Sequence, residues 1–336
     1  MKLSICIPTF NRGRQIVNCI NSIYLASLNS DLNFEVCISD NGSSYDIDDL
    51  ISQFKKKLKI KINKNKFNIG YMPNLLKVIE ISEGEFVWAI GDDDLLMPNA
   101  LKRVDQLFEE NLDVDFFFIN SFHLDYKYLE KYDFPFDTKN LPSNLKIGLG
   151  NKKISQKMKF WDLINYNISF DFLVGNFLDI YKRDMWMKNV SCLDMSLVND
   201  RKVWSNFDNT CGHTKIFANA FKNSNAYFCA EGLTANGYGI REWSKMYPFI
   251  EIIRLPEILD YYRKQGLPLK SYLINKNYAL RNFINYFFKI LINGKDGGLQ
   301  YVNFYRHIFL NLLYPNVYFS LIYFLIRKLK KIFKFN

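Results

Sequence analysis

The chain has 336 residues, of which 49% are hydrophobic and 23% are charged. This length and composition exclude a disordered chain and allow one large domain or two modest ones with a real core. The formal net charge of +10 is compatible with nucleic acid, an anionic membrane or an acidic substrate as a partner. No Asp or Glu follows Asp296, whereas six Lys and Arg residues do, so the positive charge is concentrated at one end.

The six cysteines are scattered without a CxxC pair, which argues against a zinc site and against a disulfide framework. We expect reduced, mostly buried thiols. The apolar stretch at the N-terminus is too short for a signal peptide, and no apolar window reaches about 18 residues. The sequence therefore predicts no transmembrane helix and a protein that stays in the cytoplasm.

Strand and helix patterns alternate over the first 120 residues. The predicted strands are 3–8, 34–39, 59–62, 85–90 and 114–120, and the predicted helices begin near residues 16, 48, 71 and 98. Such alternation predicts an open, mostly parallel α/β sheet, in which ligands bind at the carboxyl ends of the strands. Three polar clusters fall at those ends, namely residues 9–12, 40–43 and 91–94.

Later segments are less regular. Residues 125–175 have weak periodicity and several Pro and Gly residues, which is typical of an insertion or a mobile loop over the site. From Phe249 onward the pattern is helical.

The strongest chemical signal is the run Asp92, Asp93 and Asp94 after a buried strand. Adjacent carboxylates repel one another unless a cation neutralises them. Mg²⁺ and Mn²⁺ prefer such oxygen ligands and commonly bridge to substrate phosphates. The alternative is an acidic helix cap, because a helix follows Pro98, but a cap uses one Asp rather than three.

Four segments together carry a resemblance. Residues 4–12 (SICIPTFNR), 38–43 (ISDNGS), 68–70 (NIG) and 91–94 (GDDD) resemble glycosyltransferase family 2, and the second and fourth are similar to abequosyltransferase-type enzymes of O-antigen synthesis. The resemblance implies the α/β GT-A (nucleotide-diphospho-sugar transferase) fold, an open, mostly parallel sheet flanked by helices with a helical C-terminal extension. It implies a catalytic domain over 1–245, divided into a nucleotide-sugar-binding half (1–120) and an acceptor-binding half (121–245), and a helical region over 246–336.

The resemblance also implies roles for individual residues. The nucleotide-sugar pocket is expected to be lined by Pro8, Thr9, Asn11, Arg12, Asp40, Asn41, Gly70, Asp92 and Asp93. The divalent metal, Mg²⁺ or Mn²⁺, is expected on Asp92, Asp93 and Asp94, with Asp92 and Asp94 favoured.

A catalytic base is needed because an acceptor hydroxyl is a poor nucleophile until a carboxylate takes its proton. Residues 175–183 resemble the acceptor-binding segment of the family, and Asp200 follows in the sequence Asn-Asp-Arg, where family members usually have Glu-Asp. Asp200 is the predicted base, and Asp194 and Asp208 are alternatives. Asp200 could instead be a helix cap or a partner of Arg201.

Four further residues are candidates for binding the acceptor or the diphosphate. They are Arg183, His213, Arg241 and Trp243. Arg can grip a diphosphate and Trp can stack on a sugar. For His213 a structural role is the competing interpretation, and for Arg241 and Trp243 it is a loop packed on the core.

Residues 314–336 combine an apolar stretch, too short to span a bilayer, with apolar side chains at helical spacing and many Lys and Arg. This pattern predicts an amphipathic helix on an anionic membrane, and a partner helix or a core helix is the alternative.

The combined prediction is a metal-dependent inverting glycosyltransferase that moves a sugar from a nucleotide-diphosphate donor to a lipid-linked glycan. By resemblance it acts in bacterial surface polysaccharide or O-antigen synthesis, peripherally on the cytoplasmic face of the inner membrane. The alternatives are a basic nucleic-acid-binding protein and a nucleotidyltransferase. Nucleic acid is not expected, because only the C-terminus interleaves basic and aromatic residues. The oligomeric state stays open.

Overall fold

The fold is built on one large sheet with helices on both faces. The computed structural model describes residues 1–202, 204–239 and 242–332, without the side chains of residues 242, 243, 331 and 332. The strands are β1 (Leu3–Thr9), β2 (Phe34–Asp40), β3 (Ile60–Lys64), β4 (Phe86–Ala89), β5 (Asp94–Leu96), β6 (Phe116–Asp125), β7 (Lys146–Ile147), β8 (Gln156–Lys159), β9 (Asp179–Lys182) and β10 (Asn225–Tyr238).

The sheet is parallel in its first half and mixed in its second. The strand order is β3-β2-β1-β4-β9-β6-β10-β5, with β7 beside β6 and β8 beside β10. Strands β1 to β4 pair in parallel, and β9 is then inserted antiparallel between β4 and β6. The predicted sheet flanked by helices is confirmed, but its second half is mixed rather than mostly parallel.

Two apolar cores lie on opposite faces of this sheet, because buried side chains alternate along each strand. The α-helices are α1 (Gly13–Ser27), α2 (Ile47–Leu50), α3 (Tyr71–Glu80), α4 (Ala100–Glu110), α5 (Arg183–Asn189), α6 (Met195–Val198), α7 (Asp208–Phe221), α8 (Tyr247–Phe249), α9 (Leu255–Gln265), α10 (Leu269–Ala279), α11 (Phe283–Asn293), α12 (Phe304–His307) and α13 (Pro315–Ile332). Helix α1 has one buried apolar face at helical spacing, as the sequence predicts.

The carboxyl ends of β1, β2 and β4 meet at one edge. Thr9 is paired with Asp40 in register, and Cys6 is paired with Ala89, so the loops after these strands leave the sheet side by side. The three polar clusters predicted from the sequence therefore share one edge.

The segment expected to be an insertion or a mobile loop contributes to the packed structure. The Phe136 amide donates to Asn18 Oδ1 at 2.9 Å, and Asn21 Nδ2 donates to the Phe136 carbonyl at 2.9 Å. Phe136 is buried, and Phe160 lies in one of the two cores. Residues 125–175 thus pack on α1 and on the sheet at these points.

The C-terminal region is helical, and α13 uses only a narrow side for packing. Val317 and Ser320 are buried, and the Phe324 ring stacks on Phe288 of α11 with centroids 5.0 Å apart. Before Arg327, large apolar side chains on its other sides are exposed, and the predicted membrane association of this segment stays a prediction. Phe333 and Lys334, which belong to the predicted segment, lie outside the described residues.

No single helix among the described residues is long and apolar enough to cross a bilayer. The pair Phe304–Leu313 and Pro315–Lys330 reaches that length and composition together, with a bend of 93° between its members.

A buried carboxyl in β9 has a consequence for stability. Both side-chain oxygens of Asp179 are fully buried and lack a hydrogen-bond partner. Burial, and then the nearby charge of Asp171, raises the pKa of Asp179 well above its usual value. The folded protein therefore holds this proton at pH values where the unfolded chain has released it, so the group lowers stability as pH rises above about 4.

We expect Asp179→Asn, which carries no ionisable proton, to stabilise the fold at pH 8 by about 1.4 kcal/mol for each pH unit by which burial raises the pKa of Asp179. The gain should shrink toward zero near pH 4. Chemical denaturation at the two pH values measures it. An equal gain at both pH values would contradict the assignment of a buried, protonated acid.

Candidate active site

The acidic turn follows β4 directly and is held in a tight geometry. The Gly91 amide donates to Asp94 Oδ2 at 2.8 Å, and the Asp94 amide donates to the Gly91 carbonyl at 3.2 Å. A Cβ atom at Gly91 would lie 2.8 Å from Asp93 Oδ1. Glycine is therefore required here, because any side chain would push the carboxylates apart.

Asp94 stabilises the turn from inside. It is 1% exposed and forms the first residue of β5. Its Oδ1 accepts a hydrogen bond of 2.6 Å from Asn236 Nδ2 on β10, and its Oδ2 accepts the Gly91 amide. Since both oxygens already accept protein donors, Asp94 is a poorer candidate for a metal ligand than we expected, and its role is structural.

Asp92 and Asp93 contact the loop after β1. Thr9 Oγ1 donates to Asp92 Oδ2 at 2.7 Å, and Arg12 Nη1 lies 3.2 Å from Asp93 Oδ2. Burial, and then the charge of Asp93, raises the pKa of Asp92 to about 8. The first and fourth motifs thus form one site, in which Arg12 supplies a positive charge beside the two carboxylates.

The donor metal implied by the family was tested against this chemistry. Among the described residues, no group of three or more His, Cys, Asp or Glu side chains is arranged to hold a metal unaided. Asp92 and Asp93 nevertheless supply hard carboxylate oxygens, and a Mg²⁺-type ion is often bound by one or two carboxylates together with substrate phosphates. These two residues fit a metal that arrives with, and is shared by, a diphosphate.

The second and third motifs meet beside the first. Asp40 Oδ1 accepts from the Ser43 amide at 3.2 Å and from its hydroxyl at 2.5 Å. Asn41 Oδ1 accepts the Ile69 amide at 2.9 Å, and Asn41 Nδ2 donates to the Gly70 carbonyl at 3.2 Å. These bonds join the end of β2 to the turn that begins α3.

Residues 40–43 and 68–70, together with Asn11 after β1, form what we call the nucleotide rim. Pro8 is paired with Ser39 inside the sheet. The Asn11 backbone is in the left-handed region, with φ of 52°, and its Oδ1 accepts the Ser44 amide at 2.9 Å. The structure therefore brings all the residues expected in the nucleotide pocket to one edge of the sheet.

The predicted base lies near the same edge. Asp200 is half-buried, and the neighbouring Arg201 guanidinium lies 4.9 Å from the centroid of the Phe67 ring. Phe67 is packed so closely on Gly42 that a Cβ atom there would lie 2.7 Å from the Phe67 Cα. Phe67 therefore lies between Arg201, which follows Asp200, and Gly42 at the nucleotide rim.

Hydrogen bonds keep Asp200 ionised. Ser205 Oγ donates to its Oδ2 at 2.7 Å and the Lys202 amide to its Oδ1 at 3.0 Å. These bonds, the one from Ser205 first, lower the pKa of Asp200. A carboxylate that is ionised at neutral pH can accept a proton.

The two alternative bases have structural roles. Asp208 is buried, forms an ion pair with Lys215 and accepts the Asp194 amide at 2.8 Å. Asp194 caps α6, where it accepts the Ser196 amide at 2.9 Å. Both carboxylates are thus engaged by the backbone or by Lys215 around α6 and α7.

Two residues expected to contact acceptor or diphosphate are placed elsewhere. Arg183 follows β9 at the amino end of β4, the opposite edge from the acidic turn, and donates to Ser82 Oγ and to the Glu80 carbonyl, each at 3.1 Å. His213 is 1% exposed, and burial lowers its pKa to about 4. Both expectations are corrected to structural roles.

The remaining two candidates are not assessed by the geometry. Arg241 lies outside the described residues, and so does the side chain of Trp243.

The structure adds contacts and exposed aromatic residues that the sequence patterns do not reveal. Asn176 Nδ2 donates to the Tyr71 hydroxyl at 2.7 Å, which connects the segment before β9 to the start of α3. Phe10, Phe67 and Tyr71 are large, exposed aromatic side chains at this edge, the first two on loops and Tyr71 at the start of α3. Exposed aromatics near a polar cleft are suited to stacking on a base or a sugar ring. A single sequence with 17% aromatic residues gives no signal that separates these from core aromatics.

Comparison with known proteins agrees with this site. The model of the family described as Glycosyl transferase family 2 matches residues 4–167, a range that contains all four motifs. The resemblance drawn from the motifs is thereby confirmed.

Two curated relatives illustrate the family. Abequosyltransferase RfbV of Salmonella typhimurium is 29% identical over 116 residues, which are 34% of this chain and 34% of the relative. The GalNAc(5)-diNAcBac-PP-undecaprenol beta-1,3-glucosyltransferase of Campylobacter jejuni is 33% identical over 109 residues, 31% of this chain and 34% of the relative. The chain thus spans about a third of the length of these relatives.

The fold is confirmed by solved structures. The crystal structure of Staphylococcus aureus TarS 1–349 in complex with UDP superposes with a TM-score of 0.57 at 16% identity, covering 85% of this chain and 72% of that one. Its complex with UDP-GlcNAc gives a TM-score of 0.56 at 16% identity, covering 86% and 73%. This likeness supports the GT-A fold of this chain.

The different roles of the three aspartates can be separated by measuring stability. Asp94→Ala removes the acceptor of two buried hydrogen bonds, so we expect it to lower the free energy of unfolding by about 2–4 kcal/mol. Asp93→Asn keeps the size of the side chain and loses only the partly exposed ion pair with Arg12, so we expect a change below about 1 kcal/mol. Urea denaturation of both variants measures the difference, and equal losses would contradict a structural role specific to Asp94.

Proposed function

We propose that this chain is a metal-dependent glycosyltransferase that uses a nucleotide-diphosphate sugar as donor. The observation that carries the proposal is the pairing of Asp92 with Thr9 and of Asp93 with Arg12 across the carboxyl ends of β1 and β4. Two carboxylates would repel a diphosphate on their own, so their place beside a family 2 nucleotide rim is explained by a cation shared with the donor.

The donor half of the reaction follows from this arrangement. The nucleoside lies along the rim formed by Asp40, Asn41 and Asn11, and the diphosphate points to Asp92 and Asp93. A divalent ion held by Asp92 and Asp93 would neutralise the charge that builds on the diphosphate as the bond to the sugar breaks. Arg12 is within reach of the same oxygens and adds a charge-assisted donor.

The acceptor half uses Asp200. The acceptor hydroxyl oxygen attacks the anomeric carbon from the side opposite the leaving diphosphate, and its proton passes to the Asp200 carboxylate. Attack from that side inverts the configuration of the anomeric carbon. The lowered pKa of Asp200 keeps it ionised, so the base is available throughout the neutral range.

The acceptor class is proposed from the relatives and from the C-terminal region. One relative is named for an undecaprenol-linked acceptor and another is an abequosyltransferase, and both classes of product fit surface polysaccharide or O-antigen synthesis. The exposed apolar side chains and terminal cations of α13 suit a protein held at the cytoplasmic face of an anionic membrane. We therefore propose a lipid-linked glycan as acceptor.

A donor screen tests the proposal. UDP-, GDP-, CDP- and dTDP-sugars are compared for Mn²⁺-dependent thermal stabilisation, and the best donor is then used to measure transfer to a lipid-linked acceptor. We expect Asp93→Asn to lose the Mn²⁺-dependent stabilisation and to lower turnover by about 100-fold or more, as expected when charge stabilisation of a leaving group is removed. Undiminished Mn²⁺-dependent turnover in a variant lacking both Asp92 and Asp93 would refute the metal site.

The assignment of the base has its own test. Asp200→Asn should lower kcat by about 10²–10⁴-fold, the usual contribution of general-base catalysis, and should leave donor-induced stabilisation intact. Asp194→Asn is the matched control, because Asn also caps helices well and should preserve kcat. If kcat survives in Asp200→Asn, another group takes the proton.

The pH dependence of donor binding is set by Asp92. Its pKa of about 8 means that metal binding at lower pH must displace a proton. Apparent Mn²⁺ affinity in the presence of donor should therefore rise by up to about tenfold per pH unit from pH 6 to 8 and level off above, because one proton is released. Calorimetric titration of the wild type and of Asp92→Asn measures this slope, which the variant should lack. An equal slope in both proteins would contradict the assignment.

A further inference from the structure

A continuous apolar surface covers the C-terminal helices. More than a dozen large side chains there are exposed, on α11, on residues 304–313 and on α13. They are Phe288, Leu291, Ile292, Phe304, Tyr305, Phe309, Leu310, Leu312, Leu313, Tyr318, Phe319, Leu321, Ile322, Tyr323, Leu325, Ile326 and Leu329. A patch of this extent is not a feature of ordinary water-exposed surface and indicates a partner that is itself apolar.

The distribution of charge along residues 306–328 indicates what kind of partner this apolar surface binds. Residues 308–326 contain no charged residue and no histidine, whereas Arg306 precedes this stretch and Arg327 and Lys328 follow it. Arg306 is paired with Glu257 at 3.3 Å, yet its side chain is still 52% exposed. An uncharged stretch bounded by cations matches the layered chemistry of hydrocarbon and anionic headgroups in a bilayer leaflet.

The exposed sides of α13 favour insertion of this helix into the hydrocarbon over a position flat on the membrane surface. A helix that lies in the interface needs one polar face, which stays in water. Before Arg327, however, the exposed sides of α13 are almost entirely apolar, because only the narrow side with Val317 and Ser320 packs on protein. Hydrocarbon on several sides of the helix accounts for this distribution.

The two C-terminal segments are joined by a sharp bend, which would set their shape in a membrane. The segments Phe304–Leu313 and Pro315–Lys330 meet at 93°, so the apex at residues 313–315 is the part furthest from both cationic ends. Residues 315–326 extend roughly 18 Å at about 1.5 Å per residue, and they descend roughly 13 Å when inclined at about 45°. One leaflet offers about 15 Å of hydrocarbon, so the apex stays within it.

The backbone at the apex is satisfied within the protein. In hydrocarbon, an irregular backbone is tolerated only where protein groups take up its hydrogen bonds. The Tyr314 amide donates to the Asn311 carbonyl at 3.1 Å, the Asn316 amide donates to Asn277 Oδ1 at 2.9 Å, and Pro315 has no amide hydrogen. A groove of about 650 Å³ beside the apex is lined by apolar side chains such as Leu273 and Leu310, and also by the ion pair of Lys276 with Asp260.

We propose that residues 308–326 enter one leaflet of an anionic bilayer as a bent, re-entrant element, with the apex at Leu313 deepest and both cationic ends at the headgroups. The proposal rests on the proposed membrane-linked acceptor, to which it adds a defined mode of insertion. It orients the catalytic domain at a fixed height above the lipid from which the acceptor would be presented.

Depth-dependent fluorescence quenching tests the insertion on the full chain. The environment-sensitive dye NBD is attached to Leu313→Cys, Leu329→Cys or Leu112→Cys in a Cys192→Ser background, because the other five native cysteines are buried. Leu112 is the matched control, since it is 80% exposed, like Leu313 at 82%, but belongs to the loop after α4. Vesicles of phosphatidylethanolamine and phosphatidylglycerol carry a nitroxide either at carbon 5 or at carbon 12 of an acyl chain.

We expect the dye at residue 313 to be quenched at least twofold more by the deep nitroxide than by the shallow one, the dye at 329 to show the reverse, and the dye at 112 to show neither. Preferential shallow quenching at 313 would overturn re-entrant insertion in favour of a helix lying flat. Absence of quenching at 313 and 329 would overturn the membrane as partner, and a doubled mass by light scattering would then assign the surface to a second copy of the chain.

A charge variant gives an independent readout. Leu313→Asp should reduce the fraction of protein that co-sediments with the vesicles by at least fivefold, because a carboxylate at membrane depth is strongly disfavoured. Leu112→Asp should leave it unchanged, and equal binding of both variants would contradict insertion of the apex. Donor-induced thermal stabilisation is measured on the same proteins without vesicles, so failure of the proposed sugar transfer is distinguished from failure of the insertion.

Discussion

The concentration of negative charge at the end of β4 is the constraint on which the site depends. Two carboxylates are held side by side by the Gly91 turn, and the neighbouring loop after β1 supplies one hydroxyl and one guanidinium to them. Burial, and then the charge of Asp93, raises the pKa of Asp92 to about 8, so a second negative charge is costly at this position. A cation shared with the donor, as we propose, would offset that cost, and the parallel pairing of β1, β2 and β4 would place it beside the nucleotide rim.

The rim itself is stabilised largely by side-chain amides. Asn41 connects two loops at once, and Asn11 is held in a left-handed backbone conformation that asparagine adopts more readily than most residues. Phe67 then connects this rim to Arg201, next to the proposed base. These contacts join the donor half of the site to the segment that carries Asp200.

The sequence predicts the donor half well because its signals are local. Strands 3–8, 34–39 and 85–90 are short apolar runs followed directly by polar clusters, and the register of a parallel sheet then brings those clusters together. The resemblance fixes the fold because the four motifs occur in order. Asp94 is different: its role is set by Asn236, which is far away in sequence and reaches it only because β10 pairs with β5.

The second half of the chain is harder to predict, because the roles of its residues also depend on contacts between residues that are far apart in sequence. Strand β9 carries a buried acid and no alternation of polar and apolar residues, so it does not look like a strand. Arg183 and His213 were chosen by residue type, whereas the sheet order places one at the wrong edge and the other inside the core. Several sides of α13 are exposed because only a narrow side of this helix packs on α11. The periodicity of apolar residues does not predict how wide the packed side of a helix is.

The position of β9 also bears on how the chain is made. One edge of β4 is covered by β1, but the other is covered only by β9, which follows about 90 residues later. At a synthesis rate of about 5–20 residues per second, that edge stays unpaired for roughly 5–20 seconds after β4 leaves the ribosome. An open strand edge is a template for pairing with other chains. During this interval, protection of the β4 edge from aggregation would come from chaperones or from the shortness of the strand, which has four residues.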